Sequence, residues 1–76
     1  MKENIEYMRP RPMGKGELAM LYGPDMTPVS ALNRLAKWMR LCPQLMAELQ
    51  ATGYYPRQRL LTVRQVEIIF HHLGQP

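Results

Sequence analysis

Ser30, Asn33, Arg34, Lys37 and Arg40 recur at steps of three and four residues, so a helix over this stretch carries them on or near one polar face. Their types suit duplex recognition. Asn pairs bidentately with an adenine edge and Arg with guanine, while Lys37 and Arg40 are placed to meet phosphate oxygens. The same residues also clothe any solvated helix, so the reading depends on what precedes them. A second basic pair, Arg57 and Arg59, flanks Gln58, and alternation in an extended segment points both guanidinium groups to one side. Such a pair grips a phosphate or a minor groove, or it guards an exposed strand edge against pairing with another chain. Arg9 and Arg11 match a minor-groove arm in composition alone, and a solvated terminus explains them better.

The elements that would position these side chains can be read from periodicity and punctuation. Lys15 to Arg34, KGELAMLYGPDMTPVSALNR, sets two short amphipathic segments on either side of Gly23-Pro24, which is how a helix-turn-helix reads. Leu18, Ala19 and Tyr22 form the inner face of the first helix, Lys15 to Tyr22, with Ala19 at the closest approach. Gly23 makes the turn, and Val29 and Leu32 form the inner face of the second helix. Thr27 caps that helix and Pro28 opens it, since the hydroxyl accepts an orphan amide and proline has none to offer. Leu32, Leu35, Met39 and Cys42 then trace its buried stripe, with Ala31 and Trp38 beside them.

Pro43 ends this helix or opens a third, Gln44 to Thr52, in which Leu45, Met46 and Leu49 face inward and Gly53 provides the left-handed cap. Tyr54 to Leu61 is too broken by Pro56 for a helix and reads as a strand, a short wing, or as a compact extended loop. Thr62-Val63-Arg64-Gln65 matches a capping box, with Leu61 and Val66 set to staple across it. Val66, Ile69, Phe70 and Leu73 are the buried stripe of the last helix, and Gly74 closes it. The expectation is therefore a mainly α fold of four helices over residues 14–76, the first two a helix-turn-helix, with a β wing before the last. Residues 1–13, with Arg9-Pro10-Arg11-Pro12, form a basic, flexible arm.

Other chemistry finds little support in the sequence. Cys42 is the only cysteine, lies on a buried stripe and has no base nearby in sequence; no carboxylate pair, glycine-rich phosphate loop or Ser-His arrangement has usable spacing. No enzyme activity, small-molecule substrate, cofactor or metal site is expected. His71 and His72 diverge by about 100° on a helix and do not chelate one ion together. Trp38 belongs to the core, whereas one of Tyr54 and Tyr55 packs inward and the other covers the core or stacks on a base. Met20, Met26, Met39 and Met46 fill gaps in an irregular core, or line a groove for a protein partner.

Seventy-six residues suffice for one domain, and ten Lys or Arg against six Asp or Glu give a formal charge of +4. The pI near 9.6 places the chain among candidates for phosphate binding. No apolar run approaches a membrane span and the first residues lack a signal peptide's apolar stretch, so the mature protein is expected to be the whole chain. One cysteine without a disulfide partner suits the cytoplasm. Duplex DNA is the expected partner. The alternative is an adaptor binding another protein in a phage-like or mobile-element system, and a homodimer is compatible with either.

From Gly14 onward the chain resembles a family of small bacterial domains of the domain-of-unknown-function kind, associated with gut anaerobes. The resemblance is carried by Gly14, Glu17-Leu18-Ala19, Leu21-Tyr22, Pro24-Asp25, Ala31, Leu35 and Trp38 in the first half. Leu45, Leu49, Gly53-Tyr54, Arg59, Thr62, Val66-Glu67, Ile69, Leu73-Gly74 and Pro76 carry it in the second. It implies no activity, substrate or cofactor.

Overall fold

Apolar residues at helical spacing and three proline or threonine starts produce, in the computed structural model, the order β1 (Met13–Gly14), α1 (Lys15–Tyr22), α2 (Pro28–Arg40), α3 (Pro43–Ala51), β2 (Leu60–Leu61) and α4 (Val63–Leu73). The structure describes residues 9–76. The expected arm lies outside the described residues as far as Met8; Arg9 to Pro12 have no regular structure, and Met13 is a buried strand residue.

The starts of α2, α3 and α4 have local causes. The Thr27 hydroxyl accepts the Ser30 amide at 3.2 Å, and Pro28 occupies the first turn of α2. Thr62 and Gln65 complete a reciprocal capping box at the head of α4: the Gln65 amide donates to Thr62 Oγ1 at 3.2 Å and the Thr62 amide donates to Gln65 Oε1 at 3.0 Å. Pro43 opens α3 rather than ending α2, because proline's missing donor costs nothing at a first helical position. Gly53 and Gly74 follow α3 and α4 with φ of 93° and 86°, a region that side chains with a Cβ avoid.

The core gathers one stripe from every element. Leu18 and Ala19 of α1, Ala31, Leu35 and Met39 of α2, Leu45 and Leu49 of α3, and Val66, Ile68, Ile69 and Phe70 of α4 are all buried. Val29 is not on the inner face as its spacing suggested; it is 69% exposed. The stripe of α2 centres on Ala31, Leu35 and Met39, which turns Val29 outward.

The wing is also different from its expected form. Only Leu60 and Leu61 are strand, and they pair antiparallel with Met13 and Gly14 near the start of the chain, with Met13 opposite Leu61. Strand alternation buries Met13 and Leu61 and turns Leu60 outward. Because the partner strand comes from the other end of the domain, no hairpin projects, and the 54–60 loop is pinned against α1.

Candidate nucleic-acid interface

The helical phase set by Ala31, Leu35 and Met39 leaves the opposite face of α2 to Ser30, Asn33, Lys37 and Arg40, all exposed. These positions differ by three, four and three residues, so their side chains form one stripe along the helix.

Arg34 is separated from that stripe. Its Nη2 donates to the Tyr22 carbonyl at 2.6 Å, and its guanidinium carbon lies 4.5 Å from the centre of the Trp38 ring. The Tyr22 carbonyl is among the last of α1 and lacks a helical donor, so Arg34 supplies one from α2. Trp38 in turn meets the Tyr22 ring edge to face at 5.7 Å, and the Tyr22 hydroxyl donates to the Gly74 carbonyl. Burial pushes the Tyr22 hydroxyl up to about 12. Arg34 thus holds α1 to α2. Gly23 has an ordinary negative φ of −142°; a Cβ there would stand 2.6 Å from Arg34 Nη2 and 2.7 Å from Met26 Sδ, so the ends of both side chains would have to shift to admit one.

The second basic pair is built into a turn. The Gln58 amide donates to the Tyr55 carbonyl at 3.0 Å, so Arg57 sits in a reverse turn and Arg59 just ahead of β2, instead of both lying along one strand. Both are exposed. Lys15 and Gln65, which the sequence placed only at helix starts, fix this loop. Lys15 Nζ donates to the Tyr54 hydroxyl at 2.7 Å and to the Pro56 carbonyl at 2.8 Å, and lies 5.0 Å from the centre of the Tyr54 ring. The Lys15 amide also donates to the Arg59 carbonyl at 2.6 Å, extending the two-stranded ladder. On the other side the Gln65 side chain, 2% exposed, donates to Thr52 Oγ1 at 2.9 Å and accepts from Gln58 Nε2 at 2.7 Å. Gln58 Nε2 also donates to the Leu60 carbonyl at 2.7 Å. Tyr54 is buried and Tyr55 is 57% exposed.

The helix stripe and the loop meet around Lys15. One open concavity of about 200 Å³ has Arg40, Ala36, Lys15 and Pro56 in its wall, and a neighbouring one of about 520 Å³ has Lys15, Pro56, Arg57 and Arg59 together with Leu32 of α2. Shared walls at Lys15 and Pro56 make these one surface running from Arg40 to Arg59.

Its positive charge is uncompensated among the described residues. Among the described residues no carboxylate pairs with Lys37, Arg40, Arg57 or Arg59; Glu17 pairs with Arg11 at 2.9 Å, Glu67 with Arg64 at 3.5 Å and Glu48 with His72 at 3.2 Å. The hydrogen bond from Arg11 holds the Glu17 carboxyl below its usual value, against a smaller effect of desolvation. Glu48 and Glu67 instead share a separate concavity with Arg64 and His71.

The fold places beside Cys42 an imidazole that its sequence neighbours do not supply. His72, thirty residues on, brings Nδ1 to 3.9 Å from Cys42 Sγ. No helix among the described residues is long and apolar enough to cross a membrane. Among the same residues no cluster of three or more His, Cys, Asp or Glu is arranged to hold a metal ion.

A family model described as "Domain of unknown function (DUF4248)" matches residues 9–76. No curated protein and no solved structure matches the chain.

Proposed function

The chain belongs to the DUF4248 family of domains of unknown function, and from its own surface we propose that it binds duplex DNA, with α2 as the reading helix of a helix-turn-helix. Ser30 and Asn33 would face base edges in the major groove, Lys37 and Arg40 the flanking phosphates, and Arg57 and Arg59 a phosphate beyond the groove. The observation that supports this best is that Arg40, Arg57 and Arg59, without carboxylate partners among the described residues, border one surface while the pairing carboxylates of α3 and α4 line another. Arg34, engaged with Tyr22 and Trp38, serves the helix pair and not the DNA.

The test is fluorescence anisotropy on a mixed-sequence duplex with a Lys37→Ala, Arg40→Ala double variant, and Arg64→Ala as control. The double variant should bind at least tenfold more weakly and the control equally well. Equal binding by all three rejects the docking. A second reading, a protein adaptor, is favoured by exposed apolar side chains: Leu60 on the same surface, at 73%, and Val29 and Leu41 on or just beyond α2, at 69% and 71%. It becomes the preferred reading if the native protein ignores duplex DNA at low salt.

A further inference from the structure

Cys42, His72 and Glu48 come from three different elements: the junction between α2 and α3, the last turn of α4, and the middle of α3. His72 Nδ1 lies 3.9 Å from the Cys42 sulfur, within reach of a thiol hydrogen bond, and His72 Nε2 lies 3.2 Å from Glu48 Oε2. Nε2 is shut from solvent and has no aligned hydrogen-bond acceptor, and the Glu48 carboxylate, at 3.2 Å, is close enough to take its proton-bearing side after a small turn of the ring. His72 keeps a side-chain exposure of only 12%, whereas Cys42 is only partly buried. A nucleophile, a base within reach and a carboxylate that orients the base is the arrangement that activates cysteines.

We propose that Cys42 is a reactive thiol that exchanges with low-mass disulfides, with His72 as its base and Glu48 as the residue that positions His72. In the reaction Cys42 Sγ attacks one sulfur of the disulfide while its proton passes to His72 Nδ1. A new sulfur–sulfur bond forms, the old one breaks, and the leaving thiolate departs with the bonding pair; His72 then returns the proton to solvent. The product is a mixed disulfide at Cys42, two residues beyond Arg40. An acidic adduct there brings negative charge to the end of the proposed DNA-binding stripe, but the thiol chemistry itself does not depend on that reading.

Since Cys42 is the only cysteine, the rate of thiolate release from dithiobis-nitrobenzoate at neutral pH reports on it alone. The folded protein should react faster than the same chain in guanidinium chloride. His72→Gln should slow the folded reaction by about 100-fold, the lower end for loss of a positioned base. Glu48→Gln should slow it several-fold. Added imidazole should restore rate to His72→Gln and leave the native rate unchanged, a response that altered packing alone does not give. Circular dichroism checks that each variant is folded, and His72→Asn serves if His72→Gln is not. A native rate no faster than that of the unfolded chain, or folded His72 variants that match the native rate, overturns the proposal.

Discussion

Replacing Gln65 by methionine, similar in length and unable to hydrogen-bond, isolates the worth of the buried hub that fixes the Arg57–Arg59 loop. Gln65 makes bonds of 2.9 Å to Thr52 Oγ1, 2.7 Å from Gln58 Nε2 and 3.0 Å from the Thr62 amide. Two partners have somewhere else to go, because Thr52 Oγ1 also donates to the Leu49 carbonyl and Gln58 Nε2 to that of Leu60. The Thr62 amide loses its capping acceptor. At roughly 1 kcal/mol net per bond and more for a donor left unpaired, the cost should be about 2–3 kcal/mol. For a domain of this size that lowers the melting temperature by about 8–24 °C. Thermal and urea unfolding followed by circular dichroism measure it directly. Gln58→Ala should cost about 1 kcal/mol, and the double variant should cost less than the sum, because the two side chains share a bond. A Gln65→Met protein within roughly 0.5 kcal/mol of native, the range of an ordinary surface change, would refute the account of this network.

The glycines separate in the same assay. Gly23→Ala should destabilise by about 1–3 kcal/mol as its Cβ meets Arg34 and Met26, whereas Gly16→Ala, with nothing within 4 Å, should stabilise α1 by about 0.5–1 kcal/mol. Tyr22 predicts an alkaline effect of definite sign. Its pKa in the folded protein, about 12, stands above the ordinary 10.0. The stability contributed by the neutral phenol is therefore complete below pH 10 and lost as pH rises towards 12. The advantage of native protein over Tyr22→Phe in urea midpoint should shrink across that window, and a constant difference would contradict it.

Local chemistry accounts for what the sequence made legible. Thr27-Pro28 and Thr62 to Gln65 satisfy helix amides within three residues, so their meaning needs no tertiary knowledge. The bounds of α1 and the stripes of α2 and α4 follow from periodicity in the same way. Val29 was misplaced because the spacing at the start of α2 fits two phases, and only packing against α1 chooses between them. Lys15, Gln65 and His72 were missed as positioning residues since each acts on partners brought close by the fold: Tyr54 is thirty-nine residues from Lys15 and Cys42 thirty from His72. Arg34 shows the converse. Its type and spacing suit DNA, yet the unsatisfied carbonyl at the end of α1 and the Trp38 face claim it first.

The salt dependence of duplex binding tests the central proposal most directly. If Lys37, Arg40, Arg57 and Arg59 each meet a phosphate, the logarithm of affinity should fall against the logarithm of salt with a slope of about −3.6, or ~150-fold between ~50 and ~200 mM. Lys37→Ala and Arg40→Ala should each reduce that slope by about 0.9. Binding that is absent at low salt, or whose slope is unmoved by these substitutions, would contradict the assignment of this surface to DNA.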